Sequence, residues 1–343
     1  MTVRRLRSWV LLPVALFCAA AGVPAPAHAR TAGDAVEPGG GADHRFVLVG
    51  HATGKPDDEK AFRRTVDALD GRDTAFLVVT GVKGEKEACT DKLYQKRRDM
   101  MDDAHRPVIV VLAGSDWTGC TNSAGRSDAV ERLARLRELL YGSPDALGTG
   151  KLALTRQSSS PRFRAYAENA HWTVGKVLYA TLNLPANNNH YLNEAGRNSE
   201  WEDRLVANRF WLNRLFTIAR RDKDAAIVLF ADGDLKALAR PQGGLRGLLA
   251  RAVPEETLPL GGNPVNDGFA ATRRQVQALA QKFPGKVLLV DGAPHAGKPG
   301  IEWRGNLGHL STGQGALEVE VEPGTKHVFA VRIAEAKDNK DAH

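Results

Sequence analysis

The stretch VIVVLAGSDWTGC, residues 108–120, runs aliphatic residues into Gly114 and then presents Ser115, Asp116, Trp117 and Cys120 within six positions. A strand covered on both faces reads as a continuous apolar run. In open α/β sheets the polar groups that handle ligands gather just beyond the carboxyl ends of such strands. The stretch therefore predicts a buried strand with a chemically equipped tip.

Five further runs of strand length share this character: FVLVG (46–50), AFLVVTG (75–81), KVLYATLNL (176–184), AAIVLFADGD (225–234) and KVLLVDG (286–292). The segments between them carry helical spacing. In SDAVERLARLRELLYG, residues Val130, Leu133, Leu136 and Leu140 recur every three or four positions and Gly142 suits the stop. RLVANRFWLNRLFTIARR (204–221) predicts a second helix, with Phe210, Trp211 and Phe216 as core residues. Near the end, ALEVEVE and HVFAVRI each alternate at period two around a P-G-T turn, which predicts an antiparallel hairpin. Six strand runs separated by helices make a layered α/β domain.

The chain has 343 residues, 43% of them hydrophobic and 25% charged, which is ordinary globular composition. Its start is different. Arg4, Arg5 and Arg7 precede the apolar run WVLLPVALFCAAAGV, and Ala27-His28-Ala29 has the small-x-small form cut by signal peptidase. The reading is a signal peptide over 1–29, a flexible Gly/Pro/Ala leader over 30–43, one domain over 44–334 and a disordered polar tail over 335–343. It places the protein in the periplasm or outside the cell, with no membrane span in the mature chain.

Cleavage removes three arginines and no acid, so the formal charge falls from +7 to +4. That is too mild to mark a nucleic-acid partner. The basic clusters at 96–98 and 219–221 read as solvated helix faces. Cleavage also removes Cys18 and leaves Cys89 and Cys120, an even pair that predicts one disulfide in an oxidising compartment. A zinc site is disfavoured, because there is no C-x-x-C and no histidine at ligand spacing from Cys120.

Several catalytic patterns fail. In VGHATGKP (49–56) only three residues separate Gly50 from Gly54, and Pro56 follows Lys55, so it is no phosphate-binding loop. It reads instead as a turn feeding a helix over 56–69. No serine occupies a G-x-S-x-G elbow: Ser115 follows Gly114 directly, and Ser127 lacks the second glycine. What remains is a set of polar residues at strand tips: His51, Ser115, Asp116, Asp232, Asp234, Asp291 and His295. One sheet would bring them to one crevice.

At these tips the sequence resembles the calcineurin-like metallophosphoesterases, most closely a group of exported bacterial members, over about residues 44–333. Those proteins carry G-D-T-P-Y, then G-D-I-K with C-S/T-D-x-L-F/Y, then G-D-N-E-W-T-D-C-H, and G-D-S/T-H near the end. This chain has G-H-A-T-G at 50–54, G-V-K at 81–83 with C-T-D-K-L-Y at 89–94, G-S-D-W-T-G-C at 114–120 and G-A-P-H at 292–295. The resemblance implies a four-layer α/β/β/α sandwich of mixed sheets flanked by helices, and paired cysteines at 89 and 120.

It also implies what has changed. In the family, carboxylate, asparagine and histidine ligands hold two metal ions that clamp a phosphoryl group for in-line attack. Here His51 stands at the first aspartate position and Val82 at the bridging aspartate. The asparagine position falls on Ser115 or Asp116, and Asp291 replaces the histidine before the last motif; His295 is retained. Two cations a few ångströms apart repel strongly and need anionic ligands between them, which valine cannot supply. The expectation is a catalytically inactive relative with a binding or accessory role and no cofactor. The alternative is a phosphoesterase with one zinc or manganese ion held by His51, Asp116, Asp232 and His295.

Overall fold

The computed structural model describes residues 43–51, 59–60, 62–64, 74–192, 198–238, 267–295, 297–313 and 315–334. The segments expected to be a signal peptide and a tail, and all but the last residue of the expected leader, lie outside them. Of the helix expected over 56–69, the described residues 59–60 and 62–64 are helical.

The six apolar runs all form strands: β1 (His44–Gly50), β2 (Phe76–Thr80), β3 (Val108–Val111), β6 (Val177–Thr181), β7 (Ala226–Phe230) and β8 (Lys286–Asp291). They do not share one sheet. Parallel β1, β2 and β3 join the terminal hairpin, β11 (Gly315–Val321) and β12 (Phe329–Ile333), in the order β12-β11-β1-β2-β3. The second sheet runs β4-β5-β6-β7-β8-β10-β9, adding β4 (Thr155–Arg156), β5 (Ala170–Val174), β9 (Glu302–Arg304) and β10 (Leu307–Ser311). Its strands β6, β7, β8 and β10 are parallel, and the outer ones antiparallel.

Alternation along the strands builds three apolar layers. Phe46, Leu48, Phe76, Val78, Ile109 and Val111 face Trp172, Tyr179, Val228, Phe230 and Val290 between the sheets. The odd partners Val47, Val49, Leu77 and Val79 pack under α1 (Asp91–Asp102) and α2 (Ala129–Tyr141) through Met100, Met101, Leu133 and Leu136. On the far side Leu178, Ile227, Leu229, Val287 and Leu289 meet α3 (Ser199–Asp222) and α4 (Ala270–Gln281) through Trp211, Leu212, Phe216 and Val276. The layers run helix, sheet, sheet, helix. Among the described residues no helix is long and apolar enough to cross a membrane.

Aromatic contacts lock the sheets together: Phe46 and Phe76, stacked on one another within the first sheet, meet Tyr179 of the second edge-on at 5.5 and 4.9 Å. Such pairs add about 0.5–1.5 kcal/mol each beyond their buried area. The Tyr179 hydroxyl, which burial would otherwise leave unpaired, lies 2.6 Å from His44 Nε2 at the start of β1.

Three expectations need correction. Phe210 is not core: it is 46% exposed, and the guanidinium of Arg162 covers its ring at 4.5 Å. Val130 is also exposed, because its neighbour Ala129, one residue earlier in the same turn, takes the place on the buried face with Leu133, Leu136 and Leu140. Arg97 is not on a solvated face: it is buried, donates to the Val82 carbonyl and pairs with Glu87 and Glu59.

Cys89, in the loop after β2, and Cys120, just past β3, stand at disulfide distance with Cα atoms 5.9 Å apart. The bridge ties together two loops that follow neighbouring strands. With the cysteines 31 positions apart, chain-entropy reasoning assigns the bridge about 3–4 kcal/mol. A Cys89→Ser/Cys120→Ser variant is expected to lose stability of that order in denaturant titrations. The parent, unfolded without reductant, should show neither thiol to a colorimetric thiol reagent.

Candidate functional site

The tip of β3 shows what the opening stretch does. After Ala113 the chain makes a single helical turn, Gly114–Trp117, and the Asp116 side chain folds back under it. Its Oδ2 accepts from the Ala113 N–H at 2.7 Å, and its Oδ1 from the N–H groups of Val82 and Lys83 at 2.8 and 3.0 Å. Asp116 is fully buried. Burial pushes its carboxyl up to about 6, against the pull of the three N–H donors and with the help of nearby Asp232. Ser115 Oγ donates to the Lys83 carbonyl at 3.0 Å. Asp116 and Ser115 thus lock the tip of β3 to the loop after β2. Val82 is itself buried among the residues beneath α1 and α2.

Asp232, beyond β7, does the same between sheets. Its Oδ2 accepts from the N–H groups of Gly114 and Ala186, both at 2.7 Å, and its Oδ1 lies 3.2 Å from His51 Nε2. His51 holds a left-handed backbone at φ 43°, unusual for a residue with a side chain. The hydrogen bond to Asp232 raises its pKa above the ordinary histidine value, although burial acts the other way. Two glycines make room: a Cβ at Gly292 would stand 2.6 Å from His51 Nε2, and one at Gly81 would stand 3.3 Å from its Nδ1. His51, Asp116 and Asp232 are therefore brought together around Gly81 and Gly292.

The other strand-tip residues go elsewhere. Val290 faces the core between the sheets, so Asp291, the next residue, points to the helix-covered face. Its Oδ2 lies 2.5 Å from Nε2 of His309 on β10, and Asp234 Oδ1 approaches the same nitrogen at 3.6 Å. His295 is exposed, with Nδ1 3.1 Å from the Gly297 carbonyl. Among the described residues, the His/Cys/Asp/Glu group with donor atoms all within 4.8 Å of one another is Asp234, Asp291 and His309. His51, Asp116, Asp232 and His295 do not form such a group.

A buried network positions the loop that supplies the Ala186 N–H. Asn188, Asn189 and His190 all have positive φ, and Asn is, after glycine, the residue type that tolerates this best. Arg204, fully buried on α3, donates to the carbonyls of Asn189 and Asn183 at 2.9 and 3.2 Å and pairs with Glu200 at 2.7 Å. Glu200 also meets His190 Nδ1 at 3.0 Å, while the His190 and Arg204 side chains pack on the ring of Trp117. Sequence reasoning missed this network and His309. Glu200 and Arg204 are four residues apart on a helix, a spacing shared with any surface ion pair.

No family model and no curated protein matches the chain. Among solved structures it is similar to a dimetal phosphatase from Danio rerio, with a TM-score of 0.47 and 9% sequence identity over 85% of this chain and 99% of that one.

Two outcomes follow from the geometry. Gly292→Ala should force His51 away from Asp232, lowering stability by about 1–3 kcal/mol and returning the His51 pKa, followed by NMR, toward the ordinary histidine value. Glu200 is held down to about 2 from a reference of 4.5: burial pushes it up, but His190 and Arg204 outweigh that. Because the folded value is the lower one, its contribution is complete above about pH 4.5 and is lost as pH falls toward 2. The full span is about 3 kcal/mol. Glu200→Gln should flatten that acid limb in denaturation curves recorded from pH 5 to pH 2.

Proposed function

We propose that this chain is an exported protein of metallophosphoesterase-like architecture that carries no dinuclear metal centre in its cleft and acts by binding rather than by phosphoester hydrolysis. The observation that carries this reading is the use of the two cleft carboxylates. Asp116 and Asp232 accept five backbone N–H groups between them, and the remaining oxygen of Asp232 faces His51. Coordination through Asp116 or through Oδ2 of Asp232 would compete with these bonds and strand buried donors, at about 1–3 kcal/mol each, which leaves Oδ1 of Asp232 as the one oxygen of the pair free of backbone donors. Val82, at the position where the resemblance calls for a bridging carboxylate, offers only an apolar side chain in a packed core. The residues present do not fit a two-metal group, and no hydrolytic step through one is derived.

Export is supported by the N-terminal basic, apolar and small-residue pattern and is compatible with the Cys89–Cys120 pair. The mild charge and the pairing of so many arginines with acids support no nucleic-acid partner.

The test is elemental analysis of the purified protein together with turnover of phosphomonoester and phosphodiester substrates in added manganese, zinc or iron. Fewer than two metals per chain and no turnover above background are expected. Two tightly held ions with chelator-sensitive activity would overturn the proposal. A single ion lost in both His51→Ala and His295→Ala, with activity, would establish the mononuclear alternative instead.

A further inference from the structure

We propose that Asp234, Asp291 and His309 bind one divalent transition-metal ion on the helix-covered face of the second sheet, outside the cleft. The placement follows from strand parity. On β7, β8 and β10, Phe230, Val290 and Leu310 face the core between the sheets, whereas Leu229, Leu289 and Leu307 face the helices. Asp291 and His309 share the parity of the second set. Asp232 lies across from Gly292, whose N–H donates to its carbonyl at 3.0 Å, and faces His51 on the other side. The sheet itself separates the trio from the His51–Asp232 pair.

The donor set is the one that zinc, manganese and related ions take: one imidazole nitrogen and two carboxylates. Their atoms lie within 4.8 Å of one another, with Nε2 of His309 facing both carboxylates at 2.5 and 3.6 Å. One N–H on that nitrogen points along a single line and serves a single acceptor well; a metal at the same place takes both carboxylates at once. The ligands are already oriented. Asp291 Oδ1 accepts from the Ala293 N–H at 3.0 Å, and Asp234 Oδ1 from the Lys236 N–H at 2.5 Å. Backbone donors of this kind orient a metal's carboxylates.

Charge points the same way. Glu302 on β9 stands directly across from His309 in the antiparallel register, adding a third acid to that face, with Arg304 two residues further along the strand. Three carboxylates around one imidazole leave the group negative in either protonation state of the ring, and a divalent cation offsets this. Asp291 is 3% exposed, while the Asp234 side chain is 30% exposed and leaves an approach from solvent.

The proposal does not depend on the inactive reading of the cleft. The protein, stripped with EDTA and dialysed, is titrated calorimetrically with Zn2+ at pH 7.5, with Co2+ visible absorption as a second readout. One Zn2+ per chain is expected. His309→Gln and Asp234→Asn should each weaken it at least tenfold and abolish the cobalt bands, while His51→Gln and His295→Gln keep parental affinity. Asp234 is partly exposed, so its variant keeps the test valid if His309→Gln fails to fold by near-UV circular dichroism. No zinc binding by the parent, or unchanged binding by Asp234→Asn, would overturn the proposal. Loss in His51→Gln alone would also overturn it, assigning the ion to the cleft. Binding of one ion without turnover would leave the functional proposal intact.

Discussion

The carboxylate of Asp232 is where the two halves of this molecule are joined at the strand tips. One oxygen takes N–H groups from Gly114 on the first sheet's side and from Ala186 on the second's, and the other faces His51. Hydrophobic packing between the sheets is strong but non-directional. It would tolerate a small slide of one sheet over the other; a buried carboxylate with two N–H donors at 2.7 Å would not. Asp116 acts in the same way within the first sheet, so the registry of the tips rests on two buried acids.

Burying two carboxylates this close is costly, and the surroundings show how the cost is met. Each acid sits where successive backbone N–H groups converge, at a helical turn or a loop after a strand, so that fixed dipoles replace water. The histidine beside Asp232 completes the compensation, and burial together with mutual repulsion still raises Asp116 to about 6. The Ala186 donor requires its loop to hold three consecutive residues at positive φ, a conformation costing of order 1 kcal/mol or more per residue in the absence of support. The support comes from Arg204, Glu200 and Trp117, which in turn requires α3 to lie tight against the sheet. A chain of dependence runs from a buried arginine, through a strained loop, to the bond that joins the sheets.

Much of this was legible in the sequence. Six strands, two main helices, the closing hairpin and the cysteine pair all follow from apolar periodicity and residue type, which are local properties. The division into two sheets came from the resemblance, since a continuous apolar run looks the same in either. Phe210 misled because an aromatic in a helix scores as core whatever face it occupies, and here a guanidinium covers it. Arg97 misled in the opposite direction, as a charged residue whose partners, Val82 and Glu87, arrive from another loop. His309 carried no signal at all: the strand that holds it, LGHLS, is short and broken by glycine. Its partners lie 18 and 75 positions away in sequence.

The candidate site turned on a finer matter that composition cannot express. Asp232 and Asp291 both stand at the ends of aliphatic runs, which by residue type alone points both into one crevice. A strand's side chains alternate, so the last buried residue decides the side taken by the polar residue after it. Phe230 faces inward and Asp232 lies two positions on, again inward, toward His51; Val290 faces inward and Asp291 lies only one position on, and therefore outward, toward His309. A shift of one residue in where the aliphatic run stops places two similar aspartates on opposite faces of one sheet. Grouping strand-tip residues by chemistry alone merges two environments that the parity of each strand keeps apart.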